Sequence, residues 1–346
     1  MLFFPILGNF TLLFCHYNEG TMRAIIPVAG IGSRLKPHTY STPKVLLNVG
    51  GKPILGHILD KLSGEKIKKA TFIIGHLGDM IKEYVSKEYP SLDSSFVEQE
   101  SMEGLGHAIY TAIPTFDEKE IFIILGDTVF DVNLKDVFKN KVSSLGVKFV
   151  DDPRRFGVAV MNNGFIKTLI EKPQTPVSNL ALVGLYYIAN SEMLIKSLNQ
   201  LVKKDVRTKG ELQLTDALQI MIDLGEKVTT FPVEGWYDCG KPETLLSTNQ
   251  FLLDQKSVCK HFDNVVINHP VYIADDAQIE NSVIGPYTTV DKGCKISECV
   301  IKNSIIGSKA VVSKVMLEDS LIGNNSIING SFHKLNSGDS SELDFY

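Results

Sequence analysis

Arg34 and Lys44 are two cations ten residues apart on a segment that opens with a glycine-rich turn. It reads Pro27-Val28-Ala29-Gly30-Ile31-Gly32-Ser33-Arg34-Leu35-Lys36-Pro37-His38-Thr39-Tyr40-Ser41-Thr42-Pro43-Lys44. Gly30 and Gly32 let backbone N–H groups come close to a phosphate. Arg34 and Lys44 can neutralise the charge that such a ligand brings. Together they suit holding a polyphosphate and stabilising the departure of part of it. The plainer reading is a structural turn, since Gly-x-Gly after a strand is a weak signal by itself. The three-glycine dinucleotide pattern fails, because its third glycine would fall on Leu35. The ordered set Gly30, Gly32, Arg34, Pro37, Thr39, Pro43 and Lys44 favours the phosphate reading.

Two carboxylates sit in comparable places. Asp127 ends the run Ile121-Phe122-Ile123-Ile124-Leu125-Gly126, and Asp238 lies within Gly235-Trp236-Tyr237-Asp238-Cys239-Gly240. A lone carboxylate at a strand end is often only a helix cap. A pair beside a triphosphate suits Mg²⁺, a hard ion bound by few protein oxygens together with phosphates. Gly235 to Lys241 also matches most of a P-loop, but Pro242 stands where a metal-binding hydroxyl is required, so an ATPase reading fails.

Three further blocks carry hydrogen-bonding groups. Gln99 has a donor and an acceptor that fit a pyrimidine edge, and Gly104 permits backbone contact with such a base. Lys172 can hold a phosphate, and Glu171 can accept hydrogen bonds from hydroxyls. Gly157 in Phe156-Gly157-Val158 joins this group, while His107 is read as helix packing. Alone, each block would read as a solvated turn.

The elements that must position these groups follow from hydrophobic pattern. Arg23 to Ile26, Ala70 to Gly75, Ser95 to Gln99 and Ile121 to Asp127 read as strands; Lys52 to Leu62, Asp79 to Glu88 and Gly106 to Ile113 read as helices. This alternation predicts an α/β fold, Rossmann-like, with a mostly parallel sheet whose ligands gather at the carboxyl ends of the strands. From about Asn264 the texture changes. Ile267, Ile273, Ile279, Ile284, Val290 and their successors to Ile328 recur every five or six residues, too widely for an amphipathic helix. A period near six predicts a parallel β-helix of hexapeptide repeats, about 18 residues per coil. A β-meander would need hairpin turns between longer strands.

The expected organisation is a 1–21 extension of doubtful status, a 22–253 domain, a 264–330 β-helix and a 331–346 polar tail. Met1 to Cys15 is apolar but lacks the basic start of a signal peptide, and His16, Asn18 and Glu19 interrupt it too early for a membrane span. Translation is therefore expected to begin at Met22, with no membrane attachment. A net charge of −5 without a long basic run argues against a nucleic-acid partner. Five scattered cysteines form no C-x-x-C pair, which argues against a disulfide framework or zinc and fits a cytoplasmic protein.

The ordered motifs resemble those of the sugar nucleotidyltransferases, the NDP-sugar pyrophosphorylases, from Met22 to about Leu253. Leu182 to Tyr186 and Gly210 to Asp216 are further matches, and the repeat domain is appended as in long members. The resemblance implies a nucleotidyltransferase domain followed by a left-handed parallel β-helix. It implies that Ala29, Gly30, Gly32, Ser33, Arg34, Gln99 and Gly104 bind the nucleotide and that Gly157, Glu171 and Lys172 bind the sugar phosphate. Arg34, Lys44 and Asp127 would be catalytic, with Mg²⁺ on Asp127 and Asp238. The reaction would join an NTP and a sugar 1-phosphate into an NDP-sugar and pyrophosphate. Asp-Cys-Gly-Lys-Pro-Glu at 238–243 resembles glucose-1-phosphate thymidylyltransferases, and Gly-Leu-Gly-His-Ala at 104–108 resembles UDP-glucose pyrophosphorylases. Glucose 1-phosphate with dTTP or UTP is favoured, although Val45 stands where several thymidylyltransferases have glutamine. Alternatives are a bifunctional nucleotidyltransferase/acyltransferase and a non-catalytic regulatory subunit. The coils offer no clear acyl-transfer histidine, so a homo-oligomer assembled through them is expected.

Overall fold

The structure is a computed structural model, described here for residues 22–256 and 262–331. The expectations for residues 1–21 and for the tail beyond residue 331 lie outside the described residues, as do two of the five cysteines, Cys15 and Cys259. Two compact units interleave along the chain. The first comprises the described residues through Gly30, Leu59–Gly126 and Phe130–Trp236; the second comprises Ile31–Ile58, Asp127–Val129 and the described residues from Tyr237 onward.

The first unit is built on a nine-stranded sheet. Its strands are β1 (Met22–Pro27), β2 (Lys69–Ile74), β3 (Asp93–Glu98), β4 (Glu120–Ile124), β5 (Ser144–Phe149), β6 (Gly157–Asn162), β7 (Phe165–Glu171), β8 (Leu180–Ile188) and β9 (Thr229–Pro232). Seven of them run in the order β7-β6-β8-β4-β1-β2-β3, and β5 joins β8 to β9. The run β4-β1-β2-β3 is parallel, as the alternation of strands and helices implied. β8 pairs antiparallel with β4, β5 and β6, which makes the whole sheet mixed.

Strands covered on both faces should be apolar throughout. Ala24, Ile25 and Ile26 of β1 and Ile121 to Ile124 of β4 are all fully buried. On one face, Ile25, Ile121 and Ile123 join a core with Leu194, Leu198 and Leu218 from the helices Ser191–Lys203 and Leu214–Asp223. The first of these helices is capped by Asn190, whose side chain accepts a hydrogen bond from the Met193 amide at 3.2 Å. Phe122, pointing the other way by the two-residue period of a strand, meets Phe138 edge-on at 5.2 Å.

The second unit contains the left-handed parallel β-helix. Three four-stranded sheets stack their strands rung upon rung. Val266 pairs with Val283, Val283 with Val300 and Val300 with Met316, so successive coils are offset by 17, 17 and 16 residues. Of the apolar positions of the six-residue pattern, Ile273, Ile279, Ile284, Val290, Ile296, Ile301, Ile306 and Val312 form its buried core, and Ile267, Leu317, Ile322 and Ile328 are partly buried against it. A second apolar cluster in this unit joins Val49, Ile54, Val129, Leu245 and Leu246 to Ile305 of the coils. That cluster anchors the segment carrying Arg34 and Lys44.

Candidate functional site

The glycine-rich segment folds around Gly32. Its φ of 67° is left-handed, and a Cβ there would stand 3.0 Å from Lys44 Cβ and from Thr39 Cγ2. Glycine is thus required for conformation and for space. The Thr39 hydroxyl donates to the Gly32 carbonyl at 2.9 Å, and so does the Leu35 amide at 2.9 Å. Leu35, which broke the dinucleotide pattern, is fully buried and pins the turn. The spacing Gly32, Thr39, Lys44 therefore has one cause: Lys44 packs directly on the glycine. A Cβ on Gly30 would meet nothing within 4 Å, so its backbone stays approachable by a ligand.

Lys44, Asp127, Asp238 and Arg34 form the electrostatic centre of this unit. Lys44 Nζ lies 2.6 Å from Asp127 Oδ2, with the lysine side chain only 12% exposed. The Cys239 amide donates to the Asp127 carbonyl at 3.0 Å, which holds the Asp238 turn beside Asp127. Burial pushes the Asp238 carboxyl above its ordinary range, and the Asp127 charge adds to this. Lys44, Arg34 and the Gly240 amide pull the other way without cancelling it. A Cβ on Gly240 would come within 2.8 Å of Asp238 Oδ1, so this glycine clears room for the carboxylate. Gly235–Asp238 is a strand and Pro242 opens the helix Pro242–Gln255, which rules out a P-loop here.

This donor chemistry fits a divalent cation. Two adjacent aspartates, one of them poorly compensated, form a site that gains from added positive charge. Among the described residues no cluster of three or more His, Cys, Asp or Glu could hold a metal. The pair would thus supply part of a coordination shell, with phosphate and water completing it.

The remaining candidates lie in the first unit. Gln99 follows β3, is 92% buried, and its amide donates to the Ile74 carbonyl at 2.8 Å. Gly104 precedes the helix Leu105–Thr111 with φ 113°, and a Cβ there would stand 2.6 Å from the Leu212 carbonyl. Its glycine therefore has a packing cause besides the expected contact with a base. The Gly106 amide donates to Leu212 O at 2.7 Å and the Leu212 amide to Glu103 O at 2.8 Å. The segment 210–213 clamps this loop, a role that the sequence reading did not assign. His107 falls in that helix and stacks near Tyr110, with ring centres 6.3 Å apart, as packing would have it.

Glu171 ends β7, and Lys172 follows with a left-handed φ of 43°. Lys172 Nζ lies 3.1 Å from Glu171 Oε1, and the Thr215 hydroxyl donates to Glu171 Oε2 at 2.7 Å. A Cβ on Gly157 would sit 3.0 Å from Glu171 Oε2, so this glycine makes way for the carboxylate. Gly157, Glu171 and Lys172 are thus brought together. Thr215 and Asp216 were missed as site residues. Burial raises the Asp216 carboxyl, Thr208 opposes this, Glu171 adds to it, and Asp216 Oδ2 has no hydrogen-bond partner. The sequence signals were the match of Gly210 to Asp216 to a family motif, which assigns neither residue a role, and a Thr-Asp pair at a helix start, which reads as a cap.

Comparison with known proteins fits this arrangement. The family model described as nucleotidyl transferase matches residues 23–255. The low-salt glycan biosynthesis nucleotidyltransferase Agl11 of Haloferax volcanii is 30% identical over 343 residues, covering 90% of this chain and 94% of that protein. A glucose-1-phosphate thymidylyltransferase of Streptomyces antibioticus is 28% identical, covering 93% and 99%. A bifunctional sugar-1-phosphate nucleotidylyltransferase/acetyltransferase of Sulfurisphaera tokodaii is 32% identical, covering 89% and 82%. Among solved structures, a glucose-1-phosphate thymidylyltransferase from Bacillus anthracis, crystallised with sucrose, superposes with a TM-score of 0.59 at 29% identity, covering 69% of this chain and 98% of that one. The chain belongs to the nucleotidyl transferase family and is a sugar-1-phosphate nucleotidyltransferase.

Proposed function

We propose that this enzyme joins dTTP or UTP to glucose 1-phosphate, releasing pyrophosphate and an NDP-glucose. The observation that carries this reading is the Lys44–Asp127 pair beside Asp238, which sets two carboxylates and a cation at the end of a phosphate-approachable loop. The full-length similarity to a glucose-1-phosphate thymidylyltransferase supports the choice of sugar.

The sugar phosphate oxygen is anionic at neutral pH, so the reaction needs no general base. That oxygen attacks the α-phosphorus of the nucleotide in line. The α–β phosphoanhydride bond breaks, and its electron pair leaves with pyrophosphate. Catalysis is then positioning plus neutralisation of charge. Arg34 and Lys44 neutralise the departing pyrophosphate, with Gly30 and Gly32 presenting backbone amides and Ala29 and Ser33 flanking them. Lys172 places the phosphate nucleophile and Glu171 accepts from sugar hydroxyls. Gln99 and Gly104 meet the base. Asp127 and Asp238 are the residues that would hold Mg²⁺, which supplies charge neutralisation at phosphate oxygens when bound.

We assign the coils to assembly of a homo-oligomer. Val266, Val283, Val300 and Met316 form one outward column, with Val266 56%, Val300 38% and Met316 82% exposed. Such a ladder suits burial against a second copy. The bifunctional relative favours a test for acetyl transfer, although His269 is the single histidine between residues 264 and 331. Pyrophosphate release over a panel of NTPs and sugar 1-phosphates with Mg²⁺ tests the main reading. The enzyme should prefer glucose 1-phosphate with dTTP or UTP; preference for a purine nucleotide or another sugar phosphate overturns that assignment.

A further inference from the structure

The helix Pro242–Gln255, which follows the Asp238 turn, carries a polar side chain where apolar packing is the usual choice. Asn249 is fully buried in the second unit, on the helix that also buries Leu245, Leu246 and Leu253. Asparagine is a poor helix former, and its amide loses water on burial. Its place there is explained by the groups it bonds.

Asn249 joins three segments of this unit. Its Oδ1 accepts from the Gly50 amide at 2.9 Å and from the Thr289 hydroxyl at 2.7 Å. Its Nδ2 donates to the Tyr287 carbonyl at 3.0 Å. Gly50 lies in the turn of the hairpin formed by Asn48–Val49 and Lys52–Pro53, while Tyr287 and Thr289 belong to the coils. Thr289 is as fully buried as Asn249. The next helix residue adds a second tie to the coils, since Gln250 Nε2 donates to Asn303 Oδ1 at 2.7 Å. The turn itself fits closely: a Cβ on Gly50 would stand 2.6 Å from Leu252 Cβ. A buried polar group with partners on three segments fixes one arrangement of them.

The hairpin leads directly to Lys44. The Ile54 amide donates to Leu47 O at 3.1 Å, and the Leu47 amide donates to Lys44 O at 3.1 Å. Val49 packs in one cluster with Leu245 and Leu246 of the same helix. We infer that Asn249 is a positioning residue for turnover: it fixes the Gly50 turn against the coils and so holds Lys44 Nζ 2.6 Å from Asp127. The coils thereby serve the reaction as well as assembly. This role rests on the catalytic assignment of Lys44 made above.

A double-mutant cycle on the full-length chain tests the two separately. Pyrophosphate release with the best substrate pair is measured for the parent, Asn249→Leu, Lys44→Ala and the double variant. Thr289→Val breaks the coil-side hydroxyl contact alone, and Thr289→Ser retains it. Thermal melting establishes the folded fraction of each variant. Asn249→Leu should lower kcat by about tenfold, because a slightly displaced catalytic group loses much of its effect, with KM for the sugar phosphate unchanged. Thr289→Val should lower kcat by about threefold, and Thr289→Ser should keep the parent value. Added to Lys44→Ala, Asn249→Leu should cause no further loss. Hydrogen exchange of residues 44–53 should quicken in Asn249→Leu and Thr289→Val. Parental kcat in either folded variant, parental exchange in both, or the full loss on top of Lys44→Ala overturns the positioning role and leaves Lys44 in the chemistry. Lys44→Ala turning over at the parental rate overturns the assignment of Lys44, and the positioning role with it.

Discussion

Lys44 Nζ and Asp127 Oδ2 lie 2.6 Å apart, so the cation of the glycine-rich segment and a strand-end carboxylate act as one electrostatic unit. Neither can be altered without changing the charge that the other presents to a phosphate. Asp238 feels both, since Asp127 raises its pKa and Lys44 lowers it.

Asp127→Asn or Asp238→Asn should cut pyrophosphate release by about 10²-fold or more, the scale of losing a charge aimed at a reacting phosphate. Circular dichroism should show the fold intact, and excess chelator should abolish activity of the parent. Full turnover by either variant would remove the carboxylates from the chemistry.

Arg34→Ala separates departure from binding. Arg34 is exposed, and its charge acts on Asp238. If it neutralises pyrophosphate, kcat should fall more than KM for glucose 1-phosphate rises. An effect confined to that KM would move Arg34 to the other substrate.

Thr215→Val removes the hydroxyl 2.7 Å from Glu171 Oε2. Losing one hydrogen bond to a charged group should raise KM for the sugar phosphate by about tenfold, leaving KM for the nucleotide unchanged. Thr215→Ser should restore the parent value. Equal changes in both KM values would mean a general loss of packing.

Acid stability should depend on Asp117. Burial works against its charge, but hydrogen bonds from Arg23 and Lys69 outweigh it and hold the pKa at about 2, against 3.8 ordinarily. A depressed carboxylate stabilises the fold above its ordinary pKa and loses that contribution as pH falls through the folded value. Asp117→Asn should therefore lower the melting temperature at pH 7. The difference from the parent should shrink between about pH 4 and pH 2. A constant difference across that range would assign the loss to packing.

Val300→Lys with Met316→Lys should lower the oligomeric state in light scattering while leaving turnover measurable, because charges would then occupy the exposed column. A full-length parent protein that is monomeric would defeat assembly through the coils.

Much of this was legible in sequence because it depends on local spacing. Ala24 to Ile26 and Ile121 to Ile124 in the parallel strands are continuous apolar runs, and such runs between turns read as buried strands. The six-residue period from Ile267 to Ile328 is equally local, since each coil repeats the same turn. Arg34, Lys44, Asp127 and Asp238 stood out because charged groups beside glycine turns rarely serve packing alone.

Contacts between distant segments were decided by tertiary structure. β8 pairs with β4, β5 and β6, and pairing of that range leaves no periodic trace in any one strand. Gly104 reads in sequence as a substrate contact, and only the fold adds that Leu212, more than a hundred residues on, also requires a glycine there. Thr215 could be read only as a helix-start residue until β7 brought Glu171 to its hydroxyl. Residues 31–58 join the unit of the coils, where Val49 and Ile54 share a cluster with Ile305. Hydrophobic burial is non-directional: it shows which residues must be covered and leaves to the folded chain what covers them.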